Sequence, residues 1–268
     1  MRPSRIRDNK MKKGILNYLV IAIIVISAAF TSCSKNPDDN NGNGNENVYL
    51  LVEIEDNFIY KRSVKLEYDY QNHVKKMIFD FGMTYLFDYN DAGDLISMKW
   101  EDEYPEDNTT AMFTKNGNKI ILNYSRGEYG WSESIELNTQ GLPTKYMTGE
   151  DESSQFFTFQ YQNGNLKKLE SLYLDENDNM IKLDFYQSYT YDDKKSPFYH
   201  CKTPKWLFVF LDILLEFHYN FGIQNNVVTS DGWYSMSCDY TYNDDGFPFT
   251  RNVKGTEEFT QTFKYGKR

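Results

Sequence analysis

The sequence predicts an all-β protein, an antiparallel up-and-down meander of about 12 to 15 strands curved into an open or nearly closed barrel, with one α-helix inserted at about residues 204–219. Three observations carry this expectation. Large β-favouring rings are abundant, with 22 Tyr and 19 Phe among 268 residues, while Pro is scarce at 7. Apolar and polar residues alternate with period two from Val48 onward. Between the alternating runs, clusters of Asn, Asp and Gly recur, and these residues tolerate the positive φ that tight hairpin turns require.

In chain order, residues 1–32 read as a signal peptide. Met11-Lys12-Lys13 opens a basic segment, Ile15 to Phe30 is an almost unbroken apolar run, and small residues lead to Cys33. The run is shorter than the roughly 20 residues a membrane-spanning helix needs, so cleavage is the expected fate. Phe30-Thr31-Ser32-Cys33 resembles the lipobox of bacterial lipoproteins, which implies acylation of Cys33 and a membrane partner through that lipid. Residues 33–47 then form a tether of Asn, Gly and Asp without a large apolar side chain. Residues 48–268 are expected to form a single β-meander domain.

Within that domain Val64, Leu66, Tyr68 and Tyr70 alternate with Lys65, Glu67 and Asp69. Phe157, Phe159 and Tyr161 alternate with Thr158 and Gln160. Each run reads as a strand with one buried and one wet face. Turns follow at Tyr70-Gln71-Asn72-His73, Tyr89 to Asp94, Lys115 to Asn118, Asn138 to Gly141, Tyr161 to Asn165, Tyr191 to Lys194 and Tyr242 to Gly246. The one segment with helical spacing starts at Thr203-Pro204, an N-cap residue followed by Pro at the first helical position. Trp206, Leu207, Phe210, Leu211, Leu214 and Phe217 recur at spacings of 3 and 4, Asp212 and Glu216 share a polar stripe, and Gly222 is the stop. Such a helix would plug the concavity of a strongly curved sheet.

The pattern aromatic-x-Tyr-Asn/Asp-x-x-Gly-x-Leu, seen at Phe87 to Leu95, Phe159 to Leu166 and Tyr240 to Phe247, resembles the tyrosine-aspartate repeats of bacterial surface proteins. Together with the leader, Tyr191 to Phe198 and Asn225 to Val228, it is similar to an uncharacterised family of Bacteroidetes lipoproteins described as having a porin-like meander fold. The resemblance implies an outer-membrane lipoprotein on the cell surface or periplasmic face. Its motifs are structural and bring no catalytic or binding residue with them.

The net charge of −10 understates the acidity of the domain, because residues 1–32 hold six of the 29 basic residues and one of the 39 acids. So acidic a surface repels phosphate backbones, and no nucleic-acid partner is expected. Cys201 and Cys238, the cysteines beyond Cys33, could form a disulfide in an oxidising compartment or stand as buried thiols. His200 and Cys201 are adjacent and point to opposite faces of an extended chain, which opposes a nucleophile pair. His73, His200 and His218 lack metal-ligand spacing, so no metal is expected. Asp175 to Asn179 begins like a calcium loop, yet Met180 stands where Gly is needed and Tyr186 where a bidentate Glu belongs. No hydrolase, zincin or phosphate-cradling motif appears, and no cofactor is expected.

Trp100, Trp131, Trp206 and Trp233 could be core or stacking platforms. Trp131 with Tyr129, and Trp233 with Tyr234, lie beside glycines at turns, where core packing need not claim them, and are the candidate ligand contacts. The function these features favour is a non-enzymatic binding or structural module of the envelope, taking a glycan or a protein. The alternative is a glycan hydrolase with paired carboxylates. A lipid-embedded barrel is disfavoured by charge in the strands and by an ending, Tyr265-Gly266-Lys267-Arg268, without a terminal aromatic.

Overall fold

The computed structural model describes residues 48–57, 62–102, 104–149, 155–174, 180–214 and 223–268. Residues 1–32, expected to be a signal peptide, Cys33 with the expected tether to residue 47, and residues 175–179 lie outside the described residues. Sixteen strands are present, more than the sequence suggests. They are β1 (Tyr49–Asp56), β2 (Arg62–Tyr68), β3 (Val74–Phe79), β4 (Thr84–Tyr89), β5 (Leu95–Glu101), β6 (Thr109–Asn116), β7 (Lys119–Arg126) and β8 (Tyr129–Leu137). β9 (Pro143–Thr148), β10 (Phe156–Gln162), β11 (Asn165–Leu174), β12 (Met180–Tyr191), β13 (Val227–Gly232), β14 (Met236–Tyr242), β15 (Pro248–Gly255) and β16 (Phe259–Lys267) complete the wall. Each strand pairs antiparallel with its chain neighbour and β1 pairs with β16, from Tyr49↔Lys267 to Asp56↔Gln261, so the barrel is fully closed. Closure leaves no sheet edge to solvent.

Alternating direction gives the barrel two unlike ends. At one, the turn end, four hairpins share a single construction. The backbone bulges just before the turn, between Glu67 and Tyr68, Asp88 and Tyr89, Glu136 and Leu137, and Thr241 and Tyr242. An Asp or Asn follows, and its side-chain oxygen accepts the amides two and four residues on: Asp69 from Gln71 and His73, Asn90 from Ala92 and Asp94, Asn138 from Gln140 and Leu142, Asn243 from Asp245 and Phe247. The fourth residue of each turn has positive φ, as Asn72, Gly93, Gly141 and Gly246. Tyrosines near this end are engaged as well: the hydroxyls of Tyr68, Tyr89, Tyr191, Tyr240 and Tyr265 donate to main-chain carbonyls of Leu51, Val74, Leu166, Val227 and Pro248, and that of Tyr242 donates to Asp192. At Tyr89 to Asp94 and Tyr242 to Phe247 the recurring sequence pattern is thus a bulged, side-chain-capped turn.

The helix α1 (Lys205–Leu214) follows β12. The remainder of the expected span, with Glu216 and Phe217, lies outside the described residues. Its six consecutive residues Trp206 to Leu211 are all buried, which an amphipathic surface helix could not achieve and a helix enclosed on every side does. Trp206 meets Phe113 of β6 at 5.6 Å, Phe210 meets Tyr146 of β9 at 5.7 Å, and Asp212 lies close enough to Tyr189, Tyr191 and Arg251 to act on their ionisation. The helix is the plug of the lumen, and each of those large side chains contributes roughly 1.5–3 kcal/mol by leaving water. Thr203, expected to cap it, has its hydroxyl engaged by the Val74 amide at 2.8 Å, which stitches the insertion to β3.

The inner face is mostly apolar, with Asp56, Gln187, Arg251 and Gln261 among its buried polar residues, and the outer face mixes polar residues with exposed Ile96, Met112 and Phe249. The exposed face carries cross-strand pairs such as Lys115 with Asp94, Lys254 with Asp239, Lys264 with Glu53 and Glu55, Thr190 with Thr229, and Thr241 with Thr250. A barrel in a bilayer needs an apolar outer band about 25 Å tall.

Candidate binding face at the loop end

At the end opposite the capped turns, the candidate contact residues sit on the rim. Tyr129 starts β8 and is 80% exposed. Trp131, 40% exposed, pairs directly with Tyr124 across β7 and β8 and stacks on it, ring centroids 4.8 Å apart and planes within 10°. Tyr124 is in turn met edge-on by Trp100 at 5.8 Å, and Trp100 pairs with Tyr85 of β4. The outermost ring of this chain is open to solvent and the rest are core or partly buried.

Trp233 stands on the β13–β14 turn and is 59% exposed, its ring 5.0 Å from Phe185. The turn is held from below by a buried glutamine. Gln187 accepts the Tyr234 amide at 3.0 Å and donates to the Tyr234 carbonyl, which also receives the Ser230 hydroxyl at 2.8 Å. Gly232 takes φ 134°, and a Cβ there would lie 2.1 Å from the Tyr186 carbonyl oxygen. Tyr234 is drawn inward and its hydroxyl donates to Glu257 at 3.2 Å, so of the four expected contacts it is the least available. Phe185 continues through Phe157 at 6.0 Å to Tyr146 at 5.9 Å.

One carboxylate lies between the two aromatic series. Glu133, on β8, accepts the Tyr146 hydroxyl at 2.7 Å. Burial, reinforced by that carboxylate, pushes the phenols of Tyr124 and Tyr146 far above their usual value, and burial alone raises Tyr85 to about 12. These phenols are therefore neutral hydrogen-bonding groups at any physiological pH. Sequence reasoning did not single out Glu133. Its signal was phase, because a charged residue at the same parity as Trp131 and Ile135 belongs to the inner face.

The other sequence candidates are placed elsewhere. Cys201 and Cys238 stand as free thiols in the structure. Cys201 contacts the Asn72 carbonyl and the Thr203 hydroxyl, and burial raises it to about 11, which leaves a protonated, unreactive sulfur. Cys238 approaches the Met236 sulfur on β14. His200 is committed to the main chain of Tyr49. His73 is buried against Asp69 and stacked on Tyr89 at 4.6 Å. Asp69 is pushed up by burial, but hydrogen bonds from His73 outweigh this and hold it below its ordinary value of 3.8. Among the described residues no group of three His, Cys, Asp or Glu is gathered in a way that could hold a metal.

No protein-family model and no curated protein matches the chain. Among solved structures it is similar to a porin-like protein from Bacteroides uniformis ATCC 8492, with TM-score 0.37 and 13% identity over 81% of this chain and 98% of that one. It is also similar to a porin-like protein from Bacteroides vulgatus ATCC 8482, with TM-score 0.39 and 14% identity over 81% and 99% of the two chains. Both TM-scores fall below 0.5, so the architecture given above rests on the strand pairing itself.

Proposed function

We propose that this chain is a non-enzymatic binding module of the cell envelope, held by an acylated Cys33 and presenting the loop end of its barrel to carbohydrate. The observation that carries the reading is the pair of exposed indoles, Trp131 and Trp233, each backed by another aromatic ring. A supported flat ring stacks on the C–H face of a sugar with little loss of side-chain freedom, while the neighbouring Glu133 and tyrosines are suited to its hydroxyls.

The position of Val48 supports the same reading. The Arg268 amide donates to the Val48 carbonyl, so the residue at which the tether joins the barrel lies at the turn end. At roughly 3.3 Å per residue and a barrel tilt near 40°, the indoles lie on the order of 20 Å along the barrel from that junction, at its opposite end. A hydrolase would require a second carboxylate about 5–9.5 Å from the first across the scissile bond.

The test is a glycan-array screen of the mature protein followed by calorimetry on its best hit. Trp131→Ala and Trp233→Ala should each weaken binding at least tenfold with the fold intact. Turnover of the bound glycan that Glu133→Gln abolishes would instead make the protein an enzyme.

A further inference from the structure

Trp131 and Glu133 form one unit on the rim. Both stand on the inner face of β8, two residues and about 7 Å apart along the strand. Tyr124 ties them together: its ring backs the Trp131 indole at 4.8 Å, and its hydroxyl donates to the Glu133 carboxylate. Tyr146 donates to the same carboxylate from β9 at 2.7 Å. Both partners are neutral phenols, and among the described residues no Lys or Arg pairs with Glu133. A carboxylate has about four lone-pair sites, so two phenols do not exhaust it. Glu133 is half-buried and Trp131 is 40% exposed, so a group resting against the exposed part of the indole is within reach of the carboxylate.

The charge around this unit has one sign. Among the described residues that join strands at the loop end, Asp80, Asp102, Glu106, Asp107, Glu128, Glu257 and Glu258 are acidic and none is Lys or Arg. The turn end is mixed, with Lys194, Lys195 and Lys202 among its acids. Exposed rings stand among the loop-end acids, Phe81, Tyr104, Tyr129 and Trp233 besides Trp131. A field of one sign concentrates the opposite charge at such a site. The face of an indole is the negative side of its quadrupole, so it too favours a cation. A neutral sugar leaves both preferences unused, and an acidic one is repelled.

We infer that the loop-end rim selects a glycan bearing free amino groups, a β-linked glucosamine chain being the simplest, with one ammonium donating to Glu133 and the sugar ring that carries it resting on Trp131. This rests on the carbohydrate reading above and deepens it by naming the kind of sugar. One pyranose with its C2 nitrogen spans the interval between the two side chains, so the ligand does not have to cross the lumen. From Tyr146 the rings of Phe157, Phe185 and Trp233 continue around the rim to a second platform, where a neighbouring sugar of the same chain can rest.

Three β-1,4-linked tetrasaccharides that differ only at C2 make the test: tetraglucosamine bears an ammonium there, cellotetraose a hydroxyl and chitotetraose an acetamide. Each is titrated calorimetrically into the mature protein and its variants at low and high salt, with thermal melts of each ligand-free form. Tetraglucosamine should bind at least tenfold more tightly than the other two, by a margin that shrinks as salt is raised. Glu133→Gln keeps an acceptor for the phenols and should bring the three sugars within about threefold of one another. Glu128→Lys, on the exposed β7–β8 turn, should narrow the margin too, and it is the deciding variant if Glu133→Gln melts too low to titrate; an unchanged margin would then overturn the inference. Equal affinity for all three sugars, or a margin that survives in folded Glu133→Gln, would overturn the amine inference and leave the carbohydrate reading standing. So would a glycan-array hit confined to neutral or acidic sugars, whereas no binding of any glycan by the wild type would overturn both.

Discussion

At the scale of single residues, exposure separates the aromatics that hold the barrel together from those free to do something else. Trp206 and Trp131 are the same amino acid with opposite prospects. Trp206 is 5% exposed in the lumen, and replacing it with Ala should cost roughly 3–5 kcal/mol, read as a fall in the urea midpoint. Trp131 is stacked on Tyr124 and 40% exposed, so its removal should cost less than that of Trp206: about 0.5–1.5 kcal/mol for the aromatic pair, plus the transfer of the area it covers. Gly232 admits no side chain: Gly232→Ala drives a Cβ into the Tyr186 carbonyl at a φ of 134°, and the β13–β14 turn must open. The expected readout is loss of hydrogen-exchange protection at the Trp233 amide, which donates to Tyr186 at 3.0 Å. Unchanged protection would mean that the turn relaxes at little cost.

At the scale of elements, the turn end was the most legible part of the chain. Asn90, Asn138 and Asn243 declared their turns because a short side chain with an oxygen can cap two amides and a glycine three residues on can take positive φ. Asn243→Ala strips two such hydrogen bonds and should lower stability by about 1–2 kcal/mol in denaturant titration, whereas Asn243→Asp should retain most of it. The helix was legible from its spacing and its Pro204, but its surroundings were not. A polar stripe through Asp212 suggested one wet side, whereas the structure gives that carboxylate buried company from Tyr189, Tyr191 and Arg251. Strand count was misjudged where the alternation is weak. β8 opens with Tyr129-Gly130-Trp131-Ser132, which reads as a turn, and it becomes a strand because β7 extends far enough to pair with it. Glu133 and Gln261 escaped notice because alternation marks a face, and only closure of the barrel shows that the inner face has polar rows.

At the scale of the whole molecule, the wall is lined by tyrosines whose ionisation the fold opposes. Tyr68, Tyr161, Tyr189 and Tyr265 join those of the loop end in being raised, with burial the leading cause. In the unfolded chain these phenols titrate near 10. Their contribution is therefore complete below about pH 10 and is lost as the pH climbs toward the folded values, about 12 for Tyr85. Thermal melts should hold steady from pH 7 to about 9.5 and drop steeply above 10, with phenolate absorbance appearing together with unfolding rather than before it. Asp69 acts with the opposite sign: its lowered pKa adds stability above about pH 4 that fades as the solution is acidified. In cells, Cys33→Ala should release the protein from the membrane fraction with its fold unaltered, and labelled palmitate entering this variant as well as wild type would dismiss the anchor.

The pairing of β1 with β16 also dictates when the barrel can exist. Lys264 reaches Glu53 across 211 residues of sequence, and the Arg268 side chain donates to the carbonyls of Tyr68 and Asp69 some 200 residues away. Every other pairing in the wall is between chain neighbours and can zip up as the chain appears, but this seam waits for the nine residues of β16. A chain stopped before Phe259 would leave β1 and β15 as two unpaired edges, each able to recruit another molecule's strand. The final strand is thus the latch of the assembly, and the chain is most open to association with its own kind in the interval before that latch arrives.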